Sequence, residues 1–469
     1  MMRPMTSNYD VVVLGAGSGG YATALRAAQL GLSVALVEKD KLGGTCLHRG
    51  CIPTKAWLHA AEVADQTRES EQFGIRASLD GVDAGGVRGY ADGVVDRLFK
   101  GLTGLLDQPA IDIVRGDGVL TADGVRVGDQ LLSGKYTVLA TGSRSRTLGL
   151  PVDGKRILTS EEALRLDELP SSAIVLGGGV IGVEFASAWR SLGVEVTVVE
   201  ALDRLVPAED PEVSKTLARA FRKRGITAVT GTPMAAAEVT TLEDGREGVR
   251  LTLENGDTHT AEMLLVAVGR GPSSAGLGYE ESGVRLARDF VVTDERLRTS
   301  RENTYAVGDL VAGLQLAHRG FAHGIFVAED IGYAEGRLDR APTPVRDLEI
   351  PKVTYCDPEI ASVGHTEESA RAEFGEVESY SYNLGGNGRS QILKTAGFVK
   401  VIRRPGAEVV GITMIGARVG ELVGEAQLIT AWGAYPEEVA ELIHAHPTQN
   451  EAIGEAHLAL AGKPLHAHA

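Results

Sequence analysis

One pattern occurs twice in this chain, 162 residues apart. In the first copy an apolar stretch, Tyr9 to Leu14, runs straight into Gly15-Ala16-Gly17-Ser18-Gly19-Gly20. An Ala/Leu-rich segment follows to about Leu30, Gly31 stops it, and Val34 to Val37 leads to Glu38. In the second copy Ala173 to Leu176 runs into Gly177-Gly178-Gly179-Val180-Ile181-Gly182. A helical segment from Gly182 to Leu192 is stopped by Gly193, and Val194 to Val199 leads to Glu200. Strand, glycine turn, helix, strand and terminal acid together make the βαβ unit that holds a dinucleotide. Its glycines let backbone N–H groups at a helix N-terminus approach a pyrophosphate, and its acid accepts from ribose hydroxyls. Gly15, Gly17, Gly20, Gly31 and Glu38 map onto Gly177, Gly179, Gly182, Gly193 and Glu200 at one constant offset. Two dinucleotide sites are therefore expected.

The acids discriminate between nucleotides. A site for NADP places basic residues at or just after the second strand to meet the 2′-phosphate. Glu200 is followed by Ala201, Leu202 and Asp203, with a single Arg204 beyond. A carboxylate there repels a phosphate, so NAD(H) is expected. By the same logic Glu38 suits the adenosine ribose of FAD. Further on, Thr304-Tyr305-Ala306-Val307 reads as a strand ending in Gly308-Asp309, whose acid could hold a ribityl or ribose hydroxyl if the chain returns to the first domain.

Five residues after Glu38 begins a second constraint. Cys46 and Cys51 sit in Gly43-Gly44-Thr45-Cys46-Leu47-His48-Arg49-Gly50-Cys51-Ile52-Pro53-Thr54-Lys55, a dithiol beside the first nucleotide site. Proline is tolerated in a first helical turn, so Pro53 puts the pair near a helix start, where the dipole favours the reactive thiolate. Five residues along a regular helix rotate about 500°, so a disulfide between them needs a distorted or non-helical turn. A redox-active disulfide fed by a flavin is the chemistry this predicts. Zinc fits poorly, because two sulfurs fall short of four ligands, and no metal is expected. Cys356, in the apolar run Val-Thr-Tyr-Cys, reads as an inert packed thiol on a strand.

Bulk properties narrow the partners. The 47 basic and 63 acidic residues give a net charge of −16, which disfavours nucleic acid and anionic membranes. Only three cysteines among 469 residues argue against a disulfide-stapled secreted fold. Met1 to Asn8 lacks a signal-peptide profile, and no apolar run approaches the roughly 20 residues of a membrane span. A cytoplasmic protein is expected.

With these motifs in order, the chain resembles the pyridine nucleotide–disulfide oxidoreductases along nearly its whole length. The resemblance rests on the two fingerprints and the CxxxxC segment, then on Ala140-Thr141-Gly142-Ser143, Val268-Gly269-Arg270 and Gly308-Asp309. Ala361-Ser362-Val363-Gly364 and His444-Ala445-His446-Pro447-Thr448 with Glu451 complete it. It implies an α/β fold with two Rossmann-like dinucleotide-binding domains, for FAD and NAD, plus a C-terminal α+β dimerisation domain. The FAD domain would comprise 1–149 and 272–343, the NAD domain 150–271 and the interface domain 344–469.

The resemblance also implies roles. Cys46 would be the outer interchange thiol and Cys51 the inner thiol facing the flavin. Lys55 would pair with Glu184 near flavin N5. His446, oriented by Glu451 and supplied by the partner subunit, would be the base, while His444 is more structural. FAD would be held by Gly15, Gly17, Gly20, Glu38, Lys39, Gly44, Thr45, Lys55, Thr141, Gly142, Asp309 and Ala317. NAD would be held by Gly177, Gly179, Gly182, Glu200 and Gly269. The implied reaction is oxidation of protein-bound dihydrolipoamide with reduction of NAD⁺ in a homodimer. Its partners would be the lipoyl domains and acyltransferase core of 2-oxoacid dehydrogenase complexes, or the glycine cleavage carrier. The alternative is an NAD(P)H-dependent reductase of glutathione or mycothiol disulfide.

Two segments depart from the family's common pattern. His48-Arg49 replaces the usual Asn-Val between the cysteines, adding charge that could lower a thiol pKa or contact substrate. Leu316-Ala317-His318-Arg319-Gly320-Phe321 lacks the acidic residues often found after that histidine. His466 and His468 lie in a short polar tail and offer a metal little.

Overall fold

The computed structural model describes residues 6–467, with side chains from Asn8 onward. His468, and Met1 to Met5 of the amino-terminal segment, lie outside the described residues. The chain divides into two compact units. The first holds the chain up to Ala56, Gly86–Arg146 and Gly269–Asp347; the second holds Trp57–Gly85, Thr147–Val268 and everything from Leu348 on.

In the first unit β1 (Thr6–Leu14) pairs in parallel with β2 (Val34–Glu38) on one side and with Gln130–Leu139 on the other. Val11, Val12 and Val13 have no exposed surface, as a parallel strand covered on both faces requires. Burial of each contributes about 1.5–3 kcal/mol. Between the strands α1 (Ser18–Gln29) is capped at Leu30 and stopped by Gly31 in the left-handed region at φ +76°, as expected.

Thr304–Ala306 adds to the far side of Gln130–Leu139, with Tyr305 opposite Val138 and Ala306 opposite Leu139. The chain thus returns to the first sheet. Because Leu14 also faces Leu139, the carboxyl ends of three parallel strands stand side by side. The turns that follow them, Gly15–Gly17, Ala140–Gly142 and Val307–Asp309, therefore share one crevice, where open α/β sheets bind ligands.

The second unit repeats the arrangement. Ser172–Leu176 pairs in parallel with Glu195–Glu200 and with Met263–Val266. Helix Val180–Ser191 begins two residues earlier than expected, because Gly179 already accepts from the Val183 N–H at 3.0 Å. The next strand begins at Glu195 rather than Val194, whose N–H is engaged by the Trp189 carbonyl at the helix C-terminus. A five-stranded antiparallel sheet in this unit runs in the order Lys352–Thr354, Glu359–Gly364, Val409–Gly416, Phe398–Arg403, Glu378–Asn383. Helices Val419–Ala431 and Glu451–Leu460 pack into the same core.

One expectation about this unit needs correcting. Cys356 is not on a strand, since the ladder ends at Thr354, but it is 1% exposed and donates to the Pro358 carbonyl. Burial, with the Glu184 charge adding, pushes its thiol well up, and the residue is packed as expected.

Candidate active site

The two glycine turns are built alike. A Cβ at Gly15 would lie 2.4 Å from the Ala140 carbonyl oxygen, and one at Gly177 2.4 Å from that of Ala267. At Gly20 and Gly182 it would lie 1.8 Å from the carbonyl oxygens of Gly15 and Gly177. At Gly17 and Gly179, by contrast, it would meet nothing within 4 Å. Two glycines close each turn, and the middle one of each set faces open space. That is the cradle a pyrophosphate requires.

The acids behave as a pair too. Glu38 accepts from the N–H groups of Ala16 and Asp40, both at 2.8 Å. Glu200 accepts from Gly178 at 2.6 Å and Leu202 at 2.8 Å. Each carboxylate oxygen keeps a lone pair for a ribose hydroxyl. Arg204 donates to the Pro207 carbonyl at 3.2 Å and lies 3.7 Å from Glu368, so the basic residue after Glu200 has other partners. Lys39 is largely exposed beside Asp117.

The dithiol is carried by two helices. Cys46 is in the short α2 (Gly44–Arg49), and Cys51 opens α3 (Cys51–Arg68) with Pro53 in its first turn. Between them Gly50 adopts φ −139° and ψ −112°, which breaks the helix as a closable disulfide requires. The loop before α2 folds onto the first cradle: the Gly43 N–H donates to the Ala16 carbonyl at 2.8 Å. A Cβ at Gly44 would stand 2.7 Å from the Gly17 Cα, so only glycine fits. Thr45 and Lys55 are held on the same two helices.

Both cysteines are in the reduced form and partly buried, and they lie close to disulfide distance. The hydrogen bond to Cys51, then burial and the charge of Cys51, push the Cys46 thiol well above its ordinary range, while the Lys55 ammonium pulls it down.

At the crevice edge Ser143 Oγ donates to Asp309 at 2.6 Å and accepts from Arg270 Nε at 2.8 Å. Thr141 Oγ1 donates to the Ser273 carbonyl at 2.7 Å, and Gly142 and Gly269 adopt φ +69° and +97°. Ala317 opens helix Ala317–Ala334 without a side-chain cap, and the buried Gln315 Nε2 ahead of it has no partner. An orphaned donor beside an uncapped helix start fits an anionic ligand.

In the second unit Glu184 is 2% exposed, two residues beyond the second glycine turn, and accepts from the Tyr355 N–H at 2.9 Å. His446 Nδ1 lies 2.8 Å from Glu451, which also accepts from the Thr448 N–H at 2.8 Å. Burial works to raise the Glu451 pKa, but those hydrogen bonds and nearby histidines outweigh it and hold it low. The His446 side chain is 76% exposed, leaving Nε2 open to a substrate. His444 pairs instead with Glu425 at 2.7 Å, and His466 with Glu455 at 2.7 Å. Among the described residues no group of three or more His, Cys, Asp or Glu is placed to hold a metal.

Sequence reasoning missed two neighbours of these groups. Tyr21 lies near Cys46, and burial with the Cys46 charge pushes its phenol to about 12. His323, 2% exposed, accepts from the Gly308 N–H at 3.3 Å and braces the turn that carries Asp309. Spacing gives Tyr21 no signal beyond its place one residue after the first glycine turn. His323 stands two residues beyond the segment already marked as unusual.

Residues 9–324 match the family model of pyridine nucleotide-disulphide oxidoreductases, and residues 350–457 match that family's dimerisation domain. The chain belongs to the pyridine nucleotide-disulphide oxidoreductase family, whose cofactors FAD and NAD(H) suit the two cradles. It is 40% identical to a dihydrolipoyl dehydrogenase of Bacillus subtilis over 98% of this chain and 100% of that protein. A dihydrolipoyl dehydrogenase of Geobacillus stearothermophilus is 37% identical over 97% of each. Among solved structures, LpdA from Mycobacterium tuberculosis superposes with a TM-score of 0.86 at 26% identity, covering 97% of this chain and 99% of that one. The HOCl-induced flavoprotein disulfide reductase RclA of Escherichia coli gives 0.83 at 25% identity, covering 96% and 99%. No helix among the described residues is long and apolar enough to cross a membrane.

Proposed function

We propose that this chain oxidises protein-bound dihydrolipoyl groups to the cyclic disulfide and delivers the two electrons to NAD⁺, as the shared dehydrogenase of 2-oxoacid dehydrogenase complexes. The supporting observation is the thiol pair at the Gly50 break, folded against the first cradle, in a chain similar over its full length to dihydrolipoyl dehydrogenases.

In the oxidised enzyme one substrate thiolate attacks the Cys46 sulfur, and Cys51 leaves as thiolate. The second substrate thiol then attacks the first substrate sulfur and releases Cys46, so the substrate becomes a disulfide and the enzyme a dithiol. His446 takes the proton of the attacking thiol at Nε2, while Glu451 holds Nδ1 and fixes the tautomer. FAD, when bound, would supply the two-electron relay between the dithiol and NAD⁺. Lys55 would place a positive charge where the reduced flavin becomes negative. Glu38, Lys39, Gly44, Thr45, Thr141, Gly142, Asp309 and Ala317 would hold FAD, and Glu200 and Gly269 would hold NAD. His446 serves the partner subunit's dithiol, so activity needs the homodimer. Lipoyl domains, an acyltransferase core or the glycine cleavage carrier present the substrate in the cytoplasm.

The test is anaerobic turnover with dihydrolipoamide and NAD⁺, run beside NADP⁺ and beside glutathione and mycothiol disulfides with NADPH. Fast NADH formation, lost in Cys46→Ser, is expected. Preference for NADPH with a small disulfide would sink the substrate assignment.

A further inference from the structure

The two residues between the cysteines that depart from the family pattern are both tied backward. His48 Nε2 lies 2.8 Å from the Leu42 carbonyl oxygen, and Arg49 Nη2 pairs with the Asp40 carboxylate. Both anchors belong to the loop that follows the first ribose-binding acid. That loop is itself pinned: the Asp40 N–H donates to Glu38 and the Asp40 carbonyl accepts from Arg115 at 2.6 Å. At its other end the Gly43 N–H donates to the Ala16 carbonyl at 2.8 Å. The His48 ring also packs edge-on against Phe99 at 5.1 Å.

We infer that His48 and Arg49 are positioning residues for the redox pair, bracing the turn between Cys46 and Cys51 against the loop behind Glu38. The proposal rests on the dithiol role given to Cys46 and Cys51 above. A helix of six residues does not hold its own shape in water, and the break at Gly50 removes support from α3. Cys46 lies two residues before His48 and Cys51 two residues after Arg49, so the braces grip the middle of the span whose ends must meet.

A charge effect on the thiols, the other expectation for these residues, is weaker on the geometry. Burial holds His48 toward its neutral form, and the Arg49 charge faces Asp40. The brace instead raises the effective concentration of one thiol at the other, which favours the closed disulfide. Closure is Cys46-SH plus Cys51-SH plus lipoamide giving Cys46–S–S–Cys51 plus dihydrolipoamide, with two hydrogens passed to the external disulfide.

The experiment equilibrates holoenzyme anaerobically with lipoamide and dihydrolipoamide at set ratios. Acid quenching, alkylation and mass spectrometry then count the free thiols at Cys46 and Cys51. The paired variant His48→Asn with Arg49→Val should need about three to ten times more lipoamide for half-closure. Asp40→Asn, which leaves Arg49 in place, should move the same way. Should the paired variant lose its flavin, Asp40→Asn and Arg49→Lys read the same ratio. An unchanged ratio in all variants overturns the brace, and so does a change confined to the KM for dihydrolipoamide, which would make Arg49 a substrate contact. A wild-type enzyme that never closes its disulfide with lipoamide sinks the dithiol reading itself, a result distinct from matching ratios.

Discussion

Glu38 and Glu200 accept from the same pair of backbone positions, yet Glu200 is buried, at 9% exposure, where Glu38 is half-buried. The difference comes from the segment after each acid. The Val206 N–H donates to the Gly178 carbonyl at 2.8 Å, which lays Leu205 against the second turn. A Cβ at Gly178 would sit 2.7 Å from the Leu205 side chain, and Ala16 occupies the equivalent place in the first turn.

Glu200→Ala should therefore cost both binding and stability. It removes the ribose acceptor and leaves the Gly178 N–H without its partner, a loss of about 1–3 kcal/mol. Steady-state kinetics should show the KM for NAD⁺ rising about tenfold or more, with a narrower preference over NADP⁺. Glu200→Gln, which keeps an acceptor, should recover most of the stability.

The fingerprint glycines separate folding from binding. Gly17→Ala and Gly179→Ala place a methyl in open space on backbone that alanine adopts, with φ −71° and −76°. Gly17→Ala should fold but purify without FAD. Gly179→Ala should retain FAD and lose NAD(H) binding, read by calorimetry. Gly20→Ala, with a Cβ 1.8 Å from the Gly15 carbonyl oxygen, should yield little soluble protein.

For the base, His446→Gln should lower kcat for dihydrolipoamide oxidation by about 10²–10⁴-fold, the usual worth of a positioned proton acceptor. Glu451→Gln should lose less, because His446 remains. FAD content and NADH binding should be unchanged in both.

Two buried histidines set an acid limit on stability. Burial, with Arg319 adding for His323, brings His323 and His457 down to about 4 from the ordinary 6.5. The unfolded chain therefore binds protons at higher pH than the folded one. Their contribution is complete above pH 6.5 and is lost as pH falls toward 4, at about 3 kcal/mol each by the shift alone. His457 Nε2 meets no hydrogen-bonding partner among the described residues. His457→Leu should flatten the pH dependence of the urea midpoint across that window without loss at pH 8.

The repeated turns were readable because each glycine and acid has a backbone duty at a fixed offset. Helix and strand starts slipped by one or two residues where a single N–H, such as that of Val194, is taken by a helix-end carbonyl instead of the sheet. His446 with Glu451 is a local pair, expected from the family resemblance and not from spacing alone. Glu425, which binds both His444 and Asn450, comes from a separate helix, and no spacing rule reveals it. The braces at His48 and Arg49 were visible as odd residues, but their targets in the preceding loop were not.

Thr304–Ala306 completes a sheet begun near residue 6, and this orders events during synthesis. The first glycine turn emerges early, but the strand that closes its crevice follows more than 160 residues after Leu139. Contacts this distant in sequence form slowly. On the ribosome the unit that takes the flavin must wait, partly assembled and exposed to aggregation, while the intervening chain with its own parallel sheet is made. Flavin capture then becomes a late checkpoint in the birth of the enzyme, and a chain truncated before Thr304 would carry both cysteines with no finished place to seat the cofactor that oxidises them.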